Sequence, residues 1–157
     1  MKLRELVVKD AILTRLEGRK RNEVLAELMD ALVAAGAVPS EHRDTFYDGV
    51  VKRENRGSTG FGHGVAVPHV KTPDTDRLHI AIGISETGID FKALDKEPVH
   101  SIFLLVSPEE RPEEHIDAME AIFGHLSRDQ FRRFLRQAES VDDILTLLDE
   151  ADAVRSG

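Results

Sequence analysis

Five consecutive apolar residues, Ile102-Phe103-Leu104-Leu105-Val106, leave this chain few folds to choose from. They lie within residues 99–106, a length that suits a strand, and the run lacks the polar alternation of a sheet with one wet face. It reads as a central strand buried on both sides. Such a strand requires covering layers above and below it, and the rest of the sequence supplies helix-like patterns to build them.

Residues 11–16 read as a short strand. Over residues 21–35, Val24, Leu25, Leu28, Leu32 and Ala35 share one helical face, and Gly36 is placed as a C-terminal stop. Pro39-Ser40 opens a second helix, with Phe46, Tyr47, Val50 and Val51 inward and Arg53 near its end. Residues 79–85 carry Ile80, Ile82 and Ile84 on one face and the small Ala81 and Gly83 on the other, the period of a strand. Pro112 suits a first helical position, and Glu113 and Glu114 suit the positive end of the helix dipole. Ser127 with Gln130, and Ser140 with Asp143, have capping-box spacing. The stripes that follow them are Phe131, Phe134, Leu135, Ala138 and Val141, Ile144, Leu145, Leu148. Strands interleaved with helices predict an α/β domain with helices on both faces of one sheet. Without repeats or a linker, residues 1–157 read as one domain with its core over about 5–150 and a flexible tail at 152–157.

A chain of 157 residues is large enough for a proper core. The absence of cysteine removes disulfides, thiolate metal sites and a cysteine nucleophile. No apolar run approaches the ~20 residues that span a bilayer, and no secretory leader opens the chain, so a cytoplasmic protein without direct membrane insertion is expected. A net charge of −8 argues against generic nucleic-acid binding, which relies on basic patches.

Chemistry concentrates in residues 56–70, RGSTGFGHGVAVPHV. The glycines allow unusual backbone angles and close approach to a ligand, and successive N–H groups in such a loop can form an anion-binding concavity. Ser58, Thr59 and Gly60 are the candidate donors. Pro68 pushes Val67 toward an extended conformation, so the pattern is glycine loop, strand, then His69 at the strand's end. Neutral imidazole is a nucleophile near physiological pH. It needs one free ring nitrogen and a fixed tautomer, with the other N–H held by a carbonyl or carboxylate. An imidazole beside an anion-binding loop suggests phosphate on histidine. His115 shares a helical face with Met119, Ile122 and Leu126 and lies in the first turn of its helix, where an anion is favoured. Arg53 and Arg56 are the nearby guanidinium groups, able to grip phosphate with two parallel N–H bonds.

The segment GSTGFGHGVAVPH resembles the active-site signature of the type 2 enzyme IIA components of the bacterial sugar phosphotransferase system, the fructose/mannitol/nitrogen-regulatory group. Arg53 in KREN, His115 in EEHIDAMEAIFGHL and the closing pattern SVDDILTLLDEA match that family in order and spacing. The resemblance covers residues from about 5 to 150. It implies a mixed sheet of about five strands and a phosphocarrier without a cofactor. His69 would accept a phosphoryl group from an HPr-type protein, His115 would orient or stabilise it, and Arg53 would stabilise its charge. Onward partners would be an enzyme IIB, which in most classes carries phosphate on cysteine, or a regulated transporter or kinase.

Within the family, GSTG resembles the nitrogen-regulatory branch more than the mannitol branch. With no fused IIB or IIC segment in view, regulation is expected over sugar uptake, the uptake component passing phosphate to enzyme IIB being the alternative. Two more distant readings are a non-catalytic interaction module and a zinc site of His63, His69 and His115 with an open fourth position. The zinc site lacks an HExxH-type pair or a suitably spaced carboxylate. His63 stands where asparagine is common and Val70 where glycine is common. They predict a third imidazole near the site and a narrowed approach to His69. His42, His79, His100 and His125 read as surface or strand positions without a role.

Overall fold

The apolar run lies inside an almost wholly buried strand of a six-stranded mixed sheet. The computed structural model of the chain describes residues 1–156. In chain order these form α1 (Leu3–Leu6), β1 (Val7–Leu13), α2 (Arg21–Ala34), a 3-10 turn (Ser40–His42) and α3 (Arg43–Arg56). Then come β2 (Gly60–Gly62), β3 (Val65–Ala66), β4 (His69–Thr72), β5 (His79–Ile89) and β6 (Val99–Pro108). Helices α4 (Pro112–Leu126), α5 (Asp129–Gln137) and α6 (Val141–Ser156) close the chain.

The sheet order is β1-β5-β6-β3-β2, and β4 also pairs with β6. The β1–β5 pair is parallel, β5–β6 antiparallel, and β6 runs parallel to both β3 and β4. β3 and β4 therefore lie end to end along one side of β6, opposite Ser101–Ile102 and Leu105–Pro108 respectively. Pro68 makes the break. It has no N–H for the ladder, while its carbonyl still accepts from Leu105 N–H at 3.0 Å. His69 thus begins a strand of its own instead of ending the preceding one, and this split adds the sixth strand to the expected five.

Alternation along β5 and β6 divides the interior into two cores. Ile80, Ile82, Ile84, Phe103 and Leu105 face α4, α5 and α6. Ala81, Ile102, Leu104 and Val106 face α2 and α3. Gly83 shows why the second face needs small residues: a Cβ there would lie 2.9 Å from both Leu16 methyls and 3.0 Å from a Leu28 methyl.

Local signals held where they satisfied the backbone nearby. Pro112 is the first residue of α4, and Gly36 takes a φ of +80° just after α2. Asp143 N–H donates to Ser140 Oγ at 3.1 Å and Ser140 N–H returns to Asp143 Oδ2 at 3.3 Å, completing the expected capping box. The Ser127 box does not form, because that hydroxyl donates to Gly124 carbonyl and α5 begins at Asp129. β1 starts at Val7 rather than residue 11, its outer residues Lys9 and Asp10 masking an edge strand.

The C-terminal residues are helical where a flexible tail was expected over 152–157. α6 continues through Ser156, and Asp152 is only 3% exposed. Its carboxylate accepts from Leu3 N–H at 3.1 Å and Arg4 N–H at 2.9 Å, and bonds His125 Nε2 at 2.9 Å. His125 is thus a buried link between α4, α6 and the first residues, not a surface position. Gly157 lies outside the described residues.

A test of the packing arises at α3. A Cβ on Gly49 would sit 2.5 Å from Val70 Cγ2. Helix propensity alone would favour alanine by ~1 kcal/mol, but the stiff β-branched valine cannot swing away, and overpacking costs about 1–3 kcal/mol. Gly49→Ala is therefore expected to lower stability in denaturant melts, and Val70→Gly on that background to restore it.

Candidate active site

β4 places His69 on the α4 side of the sheet and Val70 on the α3 side, by strand alternation. His69 Nδ1 lies 2.9 Å from Val67 carbonyl oxygen. A carbonyl can only accept, so Nδ1 carries the proton and Nε2 keeps its lone pair. This is the fixed tautomer the sequence required. Burial is the main reason its pKa lies below the ordinary imidazole value, and Arg53, Lys71 and Arg56 push the same way against the Val67 bond. The ring is therefore neutral at neutral pH.

His115 comes from the first turn of α4 and is buried. Its ring centroid is 5.0 Å from that of His69, with the planes inclined by 54°. Ser107, at the end of β6, holds His115 Nδ1 through its hydroxyl at 2.7 Å. Burial, then the charges of His69 and Lys71, push the His115 pKa down to about 4. The sign of the pH effect follows. An unfolded histidine titrates near ~6.5, so between that value and about 4 the unfolded state binds a proton that folded His115 does not. This contribution to stability is full above pH ~6.5 and is lost as pH falls toward 4. His115→Gln is expected to flatten the acid side of the stability–pH curve; an unaltered slope would contradict it.

Arg53 donates from Nη1 to Gly57 carbonyl at 2.7 Å, closing the end of α3. Its guanidinium has further donors. Arg53, Arg56, Lys52, Lys71 and His69 line one cleft of about 640 Å³. Arg56 thus belongs to the same cleft. Lys71 was missed by sequence reading although it lies two residues beyond His69, on the same strand face. Ser107 was missed because it looks like the polar end of an apolar run. Glu54, beside Arg53, is buried and has its pKa raised mainly by burial.

Ser58, Thr59 and Gly60, expected to cradle phosphate, make the following bonds within the protein. Ser58 hydroxyl donates to Phe91 carbonyl at 2.7 Å and accepts from Gly60 N–H at 3.0 Å. Thr59 donates both its N–H, at 3.2 Å, and its hydroxyl to the Glu54 carboxylate. Gly60 is required for a close approach, since a Cβ there would lie 2.9 Å from Ala93 Cβ.

His63 is a turn residue. With φ of +60°, and Gly64 at +76°, it forms the two-residue turn between β2 and β3, which demands positive φ at both positions. Asparagine tolerates that conformation well, which accounts for its frequency there. His63 N–H donates to Asp95 Oδ2 at 3.1 Å, and the residue lines a separate cleft with Arg132, Arg133 and Arg136. It does not join the His69–His115 pair. Among the described residues, no three His, Cys, Asp or Glu side chains are grouped to hold a metal ion. Val70 lines the cleft but fills the space over Gly49, on the opposite strand face from His69.

A family model described as "Phosphoenolpyruvate-dependent sugar phosphotransferase system, EIIA 2" matches residues 5–151, and the chain belongs to this family. It is 30% identical over 148 residues to a nitrogen regulatory protein of Pseudomonas aeruginosa, covering 94% of this chain and 95% of that one. It is 32% identical over 152 residues to the fructose-specific EIIABC component of Bacillus subtilis, covering 97% of this chain but spanning only 24% of that protein. The structure of nitrogen regulatory protein IIA-Ntr from Neisseria meningitidis superposes with a TM-score of 0.84 at 25% identity, covering 93% of this chain and 98% of that one. No helix among the described residues is long and apolar enough to cross a membrane.

Proposed function

We propose that this chain is a phosphocarrier in which His69 Nε2 accepts a phosphoryl group from the phosphohistidine of an HPr-type protein. The observation that carries the reading is the Nδ1–H bond to Val67 carbonyl, which leaves Nε2 as the nucleophile. The Nε2 lone pair attacks phosphorus as the donor's N–P bond breaks. The bonding electrons return to the donor imidazole. The positive charge then borne by the His69 ring is stabilised at Nδ1–H by the Val67 oxygen. His115, neutral at working pH, donates toward the phosphoryl oxygens, and Arg53 and Lys71 offset their charge. Phosphoryl transfer depends mainly on such positioning and charge stabilisation.

Incubation with phosphorylated HPr-type protein tests this. One phosphate should appear by intact mass, lost in acid and retained in base; no uptake, or an acid-stable phosphate, would overturn the reading. Because lysine lacks the planar two-pronged grip, Arg53→Lys is expected to slow transfer while Arg56→Lys changes the chemical step little. The reverse order would assign the role to Arg56.

A regulatory role is the reading we favour for the phosphorylated form. It is supported by the near full-length match to a nitrogen regulatory protein and by the similarity to IIA-Ntr. The second reading, delivery of phosphate to an enzyme IIB for sugar uptake, is favoured by the fructose-specific relatives. Mixing the phosphorylated protein with a fructose-type enzyme IIB separates the two, since only the second requires the phosphate to move on.

A further inference from the structure

We propose that Glu54 is a positioning residue for His69, holding its ring in the Nδ1–H tautomer through Thr59 and Val67. The inference rests on His69 being the phosphoacceptor, and it concerns what fixes that imidazole.

The connection is a run of hydrogen bonds. Glu54 is in the last turn of α3 and is 3% exposed. Its Oε2 accepts Thr59 N–H at 3.2 Å and its Oε1 accepts the Thr59 hydroxyl. Thr59 carbonyl accepts Val67 N–H at 3.3 Å. Val67 carbonyl in turn accepts His69 Nδ1–H at 2.9 Å. The peptide unit carrying Thr59 carbonyl is also held at its other end, where Gly60 N–H donates to Ser58 Oγ.

Each link fixes the next by orientation. Glu54 sets the position of Thr59, and Thr59 carbonyl sets the position of Val67 N–H. Pro68 then restricts Val67 to extended backbone, so the direction of Val67 carbonyl is determined. That carbonyl decides which ring nitrogen of His69 bears the proton. The glycine loop has four glycines between residues 57 and 64 and would otherwise be free to vary. A buried carboxylate that accepts both the N–H and the hydroxyl of a local threonine is a costly way to close a loop. It is explained if the loop must hold its shape to a fraction of an ångström at His69.

Two readouts separate this role from simple loop support. The ¹⁵N shifts of His69 report its tautomer in the unphosphorylated protein, and the phosphohistidine isomer reports which nitrogen reacted. In the native chain we expect only the Nδ1–H tautomer and phosphate only on Nε2. In Glu54→Ala both tautomers should be populated, phosphate should appear on both nitrogens, and transfer should slow about 10–100-fold, the scale of a misplaced reacting group. Glu54→Gln should restore the native tautomer and isomer, since its amide can accept Thr59 N–H and donate to the threonine hydroxyl. A folded Glu54→Ala protein with a pure Nδ1–H tautomer and Nε2 product would overturn the proposal. If Glu54→Ala does not fold, Thr59→Val decides by the same spectrum: a second tautomer supports the role and a single one overturns it. The tautomer spectrum needs no phosphate donor, so it judges Glu54 even if His69 proves not to be the acceptor.

Discussion

His69→Ala is expected to give a folded protein that takes up no phosphate from an HPr-type donor. Folding should survive because His69 is only half-buried at the start of β4, and its ring makes one hydrogen bond, to Val67. The β4–β6 ladder runs through backbone groups that alanine retains. Transfer should fall below detection, since removing a covalent nucleophile costs on the order of 10⁶-fold. His115 is a poor substitute: it is buried, and Ser107 already engages its Nδ1. His63 lies in the β2–β3 turn beside a different cleft. Intact-mass time courses on the variant and the native chain check this, and full labelling of the variant would place the acceptor elsewhere.

The second large effect is at His115. His115→Ala should still accept phosphate, but about 10²–10³-fold more slowly, the cost of removing an oriented donor from a charge-stabilising site. Two features support an active role over mere packing. Its pKa of about 4 keeps the ring neutral through the working range, so its one N–H donor is unaffected by ordinary pH changes. Ser107 Oγ lies 2.7 Å from His115 Nδ1 and so fixes the orientation of a ring whose centroid is only 5.0 Å from that of His69. Rates measured by rapid quench against the native chain decide the matter. Unchanged kinetics would make His115 a packing residue.

Much of this architecture could be read from local pattern. The apolar run at 102–106, the alternating isoleucines of β5 and Pro112 at the head of α4 all express constraints within a few residues of each other. What escaped sequence reading depended on distant partners. Asp152 looks like the start of a polar tail until Leu3, Arg4 and His125 are brought to its carboxylate. The bond from Ser58 hydroxyl to Phe91 carbonyl, 33 residues away, is likewise invisible in the local pattern. The glycine-loop pattern marked the segment that leads to His69, while its own polar groups are engaged within the protein. Gly60 admits Ala93, and His63 with Gly64 makes a turn. The pairing of His69 with His115 was expected from the family resemblance, and the structure supplies its physical cause. β4 runs beside β6, and α4 starts a few residues after β6 ends, so the first turn of α4 is brought over the β4 face that carries His69.

We propose that His69 reacts through Nε2 because Val67 holds Nδ1–H. The most direct test is the phosphorus–nitrogen coupling in ¹⁵N-histidine-labelled protein after transfer from a phosphorylated HPr-type donor. One phosphorus signal coupled to Nε2 of His69, with Nδ1 still protonated, is expected. Coupling to Nδ1, or to any nitrogen of His115 or His63, would contradict it.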